Sequence, residues 1–288
     1  MHKASAHILV SALRGARLAL HISYGMLLAV FYPYLNQTRQ RRILKRWSRQ
    51  LLNILNIGIQ IEGHQPARSE DGCLMVANHV SWLDVFVLNA IHPSQFIAKS
   101  EVCSWPIIGW LCKCGGTIFI ERAVRRDTAL INQRVGMLLK QGVCVGLFPE
   151  GTSTDGRQVG HFHSALIQPA IDAGVRLCPI ALRYHDEKGE LSTVAAFTGD
   201  TTLAQSIFRI LRCRRHNVLA VFTPALTTIN ENRRVLTRSA QEAIAQGLQN
   251  IPSGQQAPET AFALPETQFS SQSAYALLLN PILIKQRK

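Results

Sequence analysis

No Cys-x-x-Cys pair occurs among the seven cysteines of this 288-residue chain, so the ligand spacing of a zinc finger or ribbon is missing. Their number is odd, and several stand in apolar surroundings, such as Cys144 within 143–148 and Cys178 before Pro179. Thiols placed in this way behave as small buried hydrophobes, and the chain reads as one of a reducing compartment. His-Glu-x-x-His is absent, which removes the commonest helical zinc-hydrolase pattern. Gly-x-Ser-x-Gly is absent too, which removes the serine nucleophile elbow. Acidic residues are scarce: 18 Asp and Glu stand against 31 Lys and Arg, a net charge of +13. An excess of that size favours an anionic partner, whether nucleic acid, an acidic membrane surface or a phosphorylated substrate. No internal repeat is evident.

What is present divides into three parts, 1–60, 61–250 and 251–288. In the first, residues 18–35 form an apolar run broken by His21 and a few small or weakly polar residues. As a helix it is roughly 27 Å long, just under the ~30 Å of a bilayer core. Arg14 and Arg17 precede it, and Arg39, Arg41, Arg42, Lys45, Arg46 and Arg49 follow. Each such charge near an anionic leaflet contributes about 1 kcal/mol, and, where the run spans, the larger cluster after it places the rest of the chain on the cytoplasmic side. The expectation is a membrane-associating helical segment, either one span or a helix pair lying in the interface. The alternative is a buried core helix with a solvated basic neighbour. Residues 51–61 are apolar enough to continue the anchor or to cap the core. No small-residue cleavage site follows the run, which argues against a removable signal peptide.

From 72 to 250 short apolar runs at 73–77, 96–98, 117–120, 143–148, 177–182 and 218–222 predict buried strands. Helices are predicted at 82–90, at 128–140 after Asp127 as N-cap, and at 164–173. This alternation predicts an α/β domain with a mostly parallel, mixed sheet flanked by helices, in which ligands gather beyond the carboxyl ends of the strands. After 251 the composition turns to Ser, Gln, Pro and Thr, which predicts a flexible tail ending in an apolar patch at 274–284.

Polar groups collect at the predicted strand ends. The first strand runs into Asn78-His79 and then Asp84. If His79 lies just before a helix and Asp84 just inside it, the carboxylate fixes the imidazole tautomer and makes the ring a general base. A second strand ends in Phe148-Pro149-Glu150-Gly151-Thr152, where Gly permits close backbone approach and Glu150 is placed to orient a polar ligand. Between them a third strand ends in Arg122, whose fork suits phosphate. Each pattern alone also fits an ordinary turn or a solvated face.

Together, and in this order, the blocks resemble the glycerolipid acyltransferases typified by lysophosphatidic acid acyltransferase. Asn78, His79 and Asp84 match Asn-His-x-x-x-x-Asp; Gly116 to Arg122 match the next block; Phe148 to Thr152 match Phe-Pro-Glu-Gly-Thr. The strand Cys178-Pro179-Ile180-Ala181-Leu182 matches a fourth, and Ala98-Lys99-Ser100-Glu101 with Pro106 and Gly109 is similar to the segment linking the first two. The resemblance implies that His79 deprotonates an acceptor hydroxyl attacking a thioester, that Asp84 orients His79, and that Arg122, Glu150, Gly151 and Thr152 hold the acceptor headgroup. It implies no cofactor and no metal, only acyl-CoA or acyl carrier protein as co-substrate, a lyso-lipid acceptor and an anionic membrane surface as partners. The implied place is the cell membrane, the inner membrane if the source is bacterial.

Two positions depart from the family pattern. Ser153 stands where many lysophosphatidic acid enzymes have Arg, and Phe162-His163-Ser164-Ala165 stands for Phe-Lys-x-Gly. Both departures remove a cation that grips phosphate, so a lyso-ornithine lipid competes with 1-acyl-sn-glycerol-3-phosphate as acceptor. Three further readings come from other classes. One is a metal-dependent hydrolase using His161 and His163, and another is a non-catalytic lipid-binding protein on the same fold. The third, nucleic-acid binding through Arg209, Arg212, Arg214 and Arg215, lacks an aromatic stacking platform.

Overall fold

The structure, a computed structural model, describes residues 7–66, 72–121 and 125–250, with the backbone alone at 125–127. The segment from 251 onward and Arg122 lie outside the described residues. Seven strands are described: β1 (Ile57–Gly63), β2 (Cys73–Ala77), β3 (Gln95–Lys99), β4 (Ile118–Ile120), β5 (Val145–Leu147), β6 (Arg176–His185) and β7 (His216–Phe222). They form one sheet in the order β1-β7-β6-β2-β5-β3-β4. Every neighbouring pair is parallel except β6 and β7. The mostly parallel, mixed sheet expected from the sequence is the sheet observed.

All residues of β2 and β5 are buried, as befits strands covered on both faces. The period of two shows in β2: Cys73, Met75 and Ala77 join one core, and Leu74 and Val76 the other. The first core is closed by α2 (Gln37–Ile54), α3 (Asp84–Ile91) and α7 (Leu203–Leu211), and the second by α5 (Arg125–Lys140), α6 (Gln168–Ala173) and α8 (Arg233–Gln249), while the short α4 (Ile108–Cys114) leads into β4. The predicted helix at 164–173 is divided into a 3₁₀ turn (Ser164–Leu166) and α6. Pro169 is the cause, since it has no N–H to give to a helix running through and fits only in a first turn. Helix α5 begins at Arg125, so Asp127 lies within it and does not cap it.

Two helices precede the sheet, α1 (Ile8–Phe31) and α2, and their packing decides how the leader is used. The buried residues of α1 are Leu18, His21, Gly25 and Ala29, a single stripe at helical spacing. The His21 ring stacks on Trp47 of α2 at 4.6 Å and its Nε2 bonds the Trp47 carbonyl at 3.1 Å. Gly25 is required there, because a Cβ would come within 2.7 Å of Trp47 Nε1. The outer face carries Ile8, Leu9, Leu13, Leu20, Leu27 and Phe31, all exposed. The stretch Ile8–Tyr34 is long and apolar enough to cross a membrane, yet only 22% of its most apolar window is buried, too little for the core helix of a soluble protein.

The basic block on α2 splits by direction. Arg39, Arg42 and Arg46 are exposed. Arg41 donates to the Gly142 carbonyl at 2.6 Å, Lys45 to Ile91 at 2.6 Å and Arg49 to Ala90 at 3.0 Å. Ala90 and Ile91 are the last residues of α3, whose carbonyls have no partner within the helix. Two cations one turn apart therefore cap α3 and oppose the negative end of its dipole. The stretch after them caps the core as well: Leu51, Leu52, Ile54 and Leu55 are buried, and the chain then enters β1. Arg49→Ala is expected to lower stability by about 1 kcal/mol, read as a lower thermal midpoint, while Arg46→Ala on the exposed side leaves the midpoint unchanged.

Candidate active site

Strand β2 ends at Ala77 and carries Asn78 and His79 past the carboxyl edge of the sheet. Asn78 is fully buried and treats Leu182 of β6 as a strand partner, donating from Nδ2 to its carbonyl at 3.0 Å and accepting its N–H at 2.7 Å. This amide pair continues the β2–β6 ladder one step beyond its last backbone pairing, Ala77 with Ile180. After a turn at 82–83, α3 starts at Asp84. The chain thus folds back, and residues that would diverge on one helix meet: His79 Nδ1 and Asp84 Oδ2 are 2.9 Å apart.

Asp84 has no exposed surface. Its Oδ2 also accepts the N–H groups of Val80 at 2.7 Å and Ser81 at 2.9 Å, and its Oδ1 accepts the Tyr184 hydroxyl at 2.7 Å. Tyr184 is itself buried on β6; burial, and then the facing carboxylate, raise its hydroxyl well above the usual phenol range, so it stays a donor. The His79 ring stacks on Phe148 at 4.3 Å and 16°, and its side chain keeps 23% exposure. With Nδ1 committed to Asp84, Nε2 is the nitrogen open to a ligand.

Strand β5, parallel to β2, brings the second block to the same edge. Glu150 reaches this edge with its carboxylate engaged by backbone: its Oε2 accepts the His79 N–H at 2.9 Å and its Oε1 accepts the Gly160 N–H at 2.8 Å, and the residue is 7% exposed. Burial pushes its carboxyl above the usual range, against the pull of those amides and of His79. Glu150 thus pins the backbone that carries the imidazole. Gly151 turns with φ of 77°, a conformation side chains disfavour, and Thr152 is exposed on the same loop. Thr154, which the sequence did not single out, donates from N at 2.8 Å and from Oγ1 at 3.2 Å to the His79 carbonyl. Ser153 is engaged with the Phe197 carbonyl. His161 and His163 are exposed with ring centroids 5.3 Å apart, on the segment that returns to bond Pro149 and Glu150. Among the described residues no three His, Cys, Asp or Glu side chains converge as a metal site.

The structure therefore gathers His79, Asp84, Glu150, Gly151 and Thr152, and Arg122 lies outside the described residues. Tyr184 could not be found by spacing, being 100 residues from its partner. Tyr184→Phe removes a neutral donor from a buried carboxylate and is expected to cost about 1.5–3 kcal/mol of stability, measured as a drop in thermal midpoint.

The fold is that of an α/β protein whose mostly parallel sheet carries, at its carboxyl edge, an imidazole held by a buried acid. Residues 58–183, from β1 into β6, match the family model described as Acyltransferase. A 1-acyl-sn-glycerol-3-phosphate acyltransferase of Neisseria meningitidis serogroup B is 36% identical over 209 residues, 72% of this chain and 81% of its own length. A lyso-ornithine lipid O-acyltransferase of Pseudomonas aeruginosa is 36% identical over 239 residues, 81% of this chain and 91% of its own. The crystal structure of the 1-acyl-sn-glycerophosphate acyltransferase PlsC from Thermotoga maritima shares the fold, with a TM-score of 0.57 at 19% identity over 82% of this chain and 96% of that one. The chain belongs to the acyltransferase family.

Proposed function

We propose that the protein moves a fatty acyl group from an acyl thioester, either acyl-CoA or acyl carrier protein, to the free hydroxyl of a lyso-lipid. The acceptor is 1-acyl-sn-glycerol-3-phosphate and the product phosphatidic acid. The observation that carries this reading is the 2.9 Å contact of His79 Nδ1 with a buried Asp84, which leaves Nε2 open beyond the sheet. Nε2 takes the hydroxyl proton as the oxygen attacks the thioester carbonyl. The tetrahedral adduct then expels the thiolate, which recovers the proton from the imidazolium. Asp84 holds the tautomer and stabilises the transient cation. No acyl-enzyme is formed. Arg122, Gly151 and Thr152 hold the acceptor headgroup, and Glu150 serves it indirectly by fixing the His79 backbone. The acyl chain lies along 99–111, where Ile107 and Trp110 are exposed.

Lyso-ornithine lipid is the second reading. It is favoured by the longer match to the Pseudomonas relative and by Ser153, whose hydroxyl is taken up inside the protein. The enzyme works at the membrane, with its catalytic domain on the cytoplasmic side. The packed inner stripe of α1 against its exposed apolar outer face supports a helix lying in the interface.

His79→Ala is expected to lower kcat by about 10²–10⁴ while the vesicle-bound fraction stays that of the wild type. Near-normal turnover would remove the proposed base. An acceptor panel with one acyl thioester and lyso-lipids differing only in headgroup decides the acceptor: turnover with 1-acyl-sn-glycerol-3-phosphate and not with lyso-ornithine lipid is expected, and the reverse selects the second reading.

A further inference from the structure

Helix α7 shows two unlike faces. Ser206 and Ile210 are buried, Ile207 and Leu211 pack on the core, and Ser206 Oγ accepts the Trp82 indole N–H at 3.0 Å, two residues from Asp84 in sequence. The outer face carries Phe208, 61% exposed, with Arg209 and Arg212, and the loop that follows adds Arg214 and Arg215, all exposed. The Arg212 guanidinium lies over the Phe208 ring at 5.4 Å. Among the described residues only Arg214 of these four has a carboxylate within ion-pair range, Glu187 at 3.9 Å. A large, mostly exposed ring among four cations, three of them without a carboxylate in ion-pair range among the described residues, is the pattern of a surface that meets an anionic, partly apolar partner.

The position of this patch selects the partner. Arg14 of α1 donates to the Cys213 carbonyl at 2.7 Å and to the Arg214 carbonyl at 3.1 Å, and Leu211 lies beside Gly15. The end of α7 is thereby fastened to the first half of α1, whose outer face exposes Leu9, Leu13 and Leu20 with Arg17 between them. We propose that Phe208, Arg209, Arg212, Arg214 and Arg215 form a second docking surface that binds an anionic lipid leaflet alongside α1. The inference rests on the reading of α1 as an interfacial helix. An apolar helix alone binds neutral and anionic leaflets alike, and stable attachment takes a second signal, here a basic patch with an aromatic ring at headgroup level. The α7 patch supplies the selectivity for anionic lipid.

The test is vesicle flotation of the full chain with phosphatidylcholine alone and with phosphatidylcholine mixed with phosphatidylglycerol, turnover in detergent micelles serving as the check on folding. Each arginine removed is worth about five-fold in partition, so Arg209→Ala/Arg212→Ala is expected to lower binding to mixed vesicles by about 25-fold. Its binding to neutral vesicles and its micellar turnover with acyl-CoA remain those of the wild type. Leu20→Glu/Leu27→Glu on α1 is expected to weaken binding to both vesicle types; if it does not, the interfacial reading of α1 fails separately. Unchanged binding of the α7 variant to mixed vesicles overturns the proposal. Loss of anionic selectivity on Arg42→Ala/Arg46→Ala, and not on the α7 variant, overturns it in favour of α2. If the α7 variant binds vesicles normally but loses turnover with acyl carrier protein and keeps it with acyl-CoA, the patch docks the acidic carrier and the proposal falls.

Discussion

An ionised carboxylate without contact to water survives in a protein only if its lone pairs are met by donors, since desolvation otherwise costs several kcal/mol or neutralises the group. Asp84 meets that demand with the His79 ring, the Val80 and Ser81 amides and the Tyr184 hydroxyl. The two amides close the loop between β2 and α3 on the carboxylate, and the hydroxyl reaches it from β6. The imidazole is the remaining donor and the one with a side facing out. The site is thus complete only when β2, α3 and β6 have been brought together, and a change in any of them moves the ring.

The same edge is tightened from the other neighbour of β2. Glu150 and Thr154, both after β5, bond the amide and the carbonyl of His79, and Phe148 lies flat against its ring. Asn78 ties the preceding residue to β6. Backbone and side chain of the imidazole are therefore fixed independently, the backbone by β5 and the ring by Asp84. Such double fixation holds a reacting nitrogen in place without reorganisation at the moment of transfer.

The strands were legible because β2 to β7 are compact apolar runs, and the block order pointed to their shared edge. Strand β1 was not separated from what precedes it, since Ile57–Gly63 continues the apolar stretch that ends α2. Helices α7 and α8 are absent from the sequence reading although their buried positions, Ser206 and Ile210 in one and Leu236, Ala240, Ile244 and Gly247 in the other, recur at helical spacing. The pairing of His79 with Asp84 could be read because both lie in one short segment. Tyr184 could not, because its contact is made by sheet order alone. Glu150 was located correctly at the edge, but its orientation depends on Gly160, which no local pattern links to it. Likewise the charges at 41, 45 and 49 look identical in sequence to those at 39, 42 and 46, and only the packing of α2 on α3 and on the turn after α5 separates inward from outward.

That inward set has a bearing on how such a leader can be inherited. Lys45 and Arg49 complete the far end of the very helix that begins with Asp84, and Trp47 between them is the seat for His21 and Gly25. The N-terminal helices are consequently not an interchangeable tag. A graft from another protein would have to reproduce two cations one turn apart, in register with the last carbonyls of α3, and an indole midway between them in sequence. Divergence among relatives should thus run freely on the outward arginines and stay locked on the inward ones.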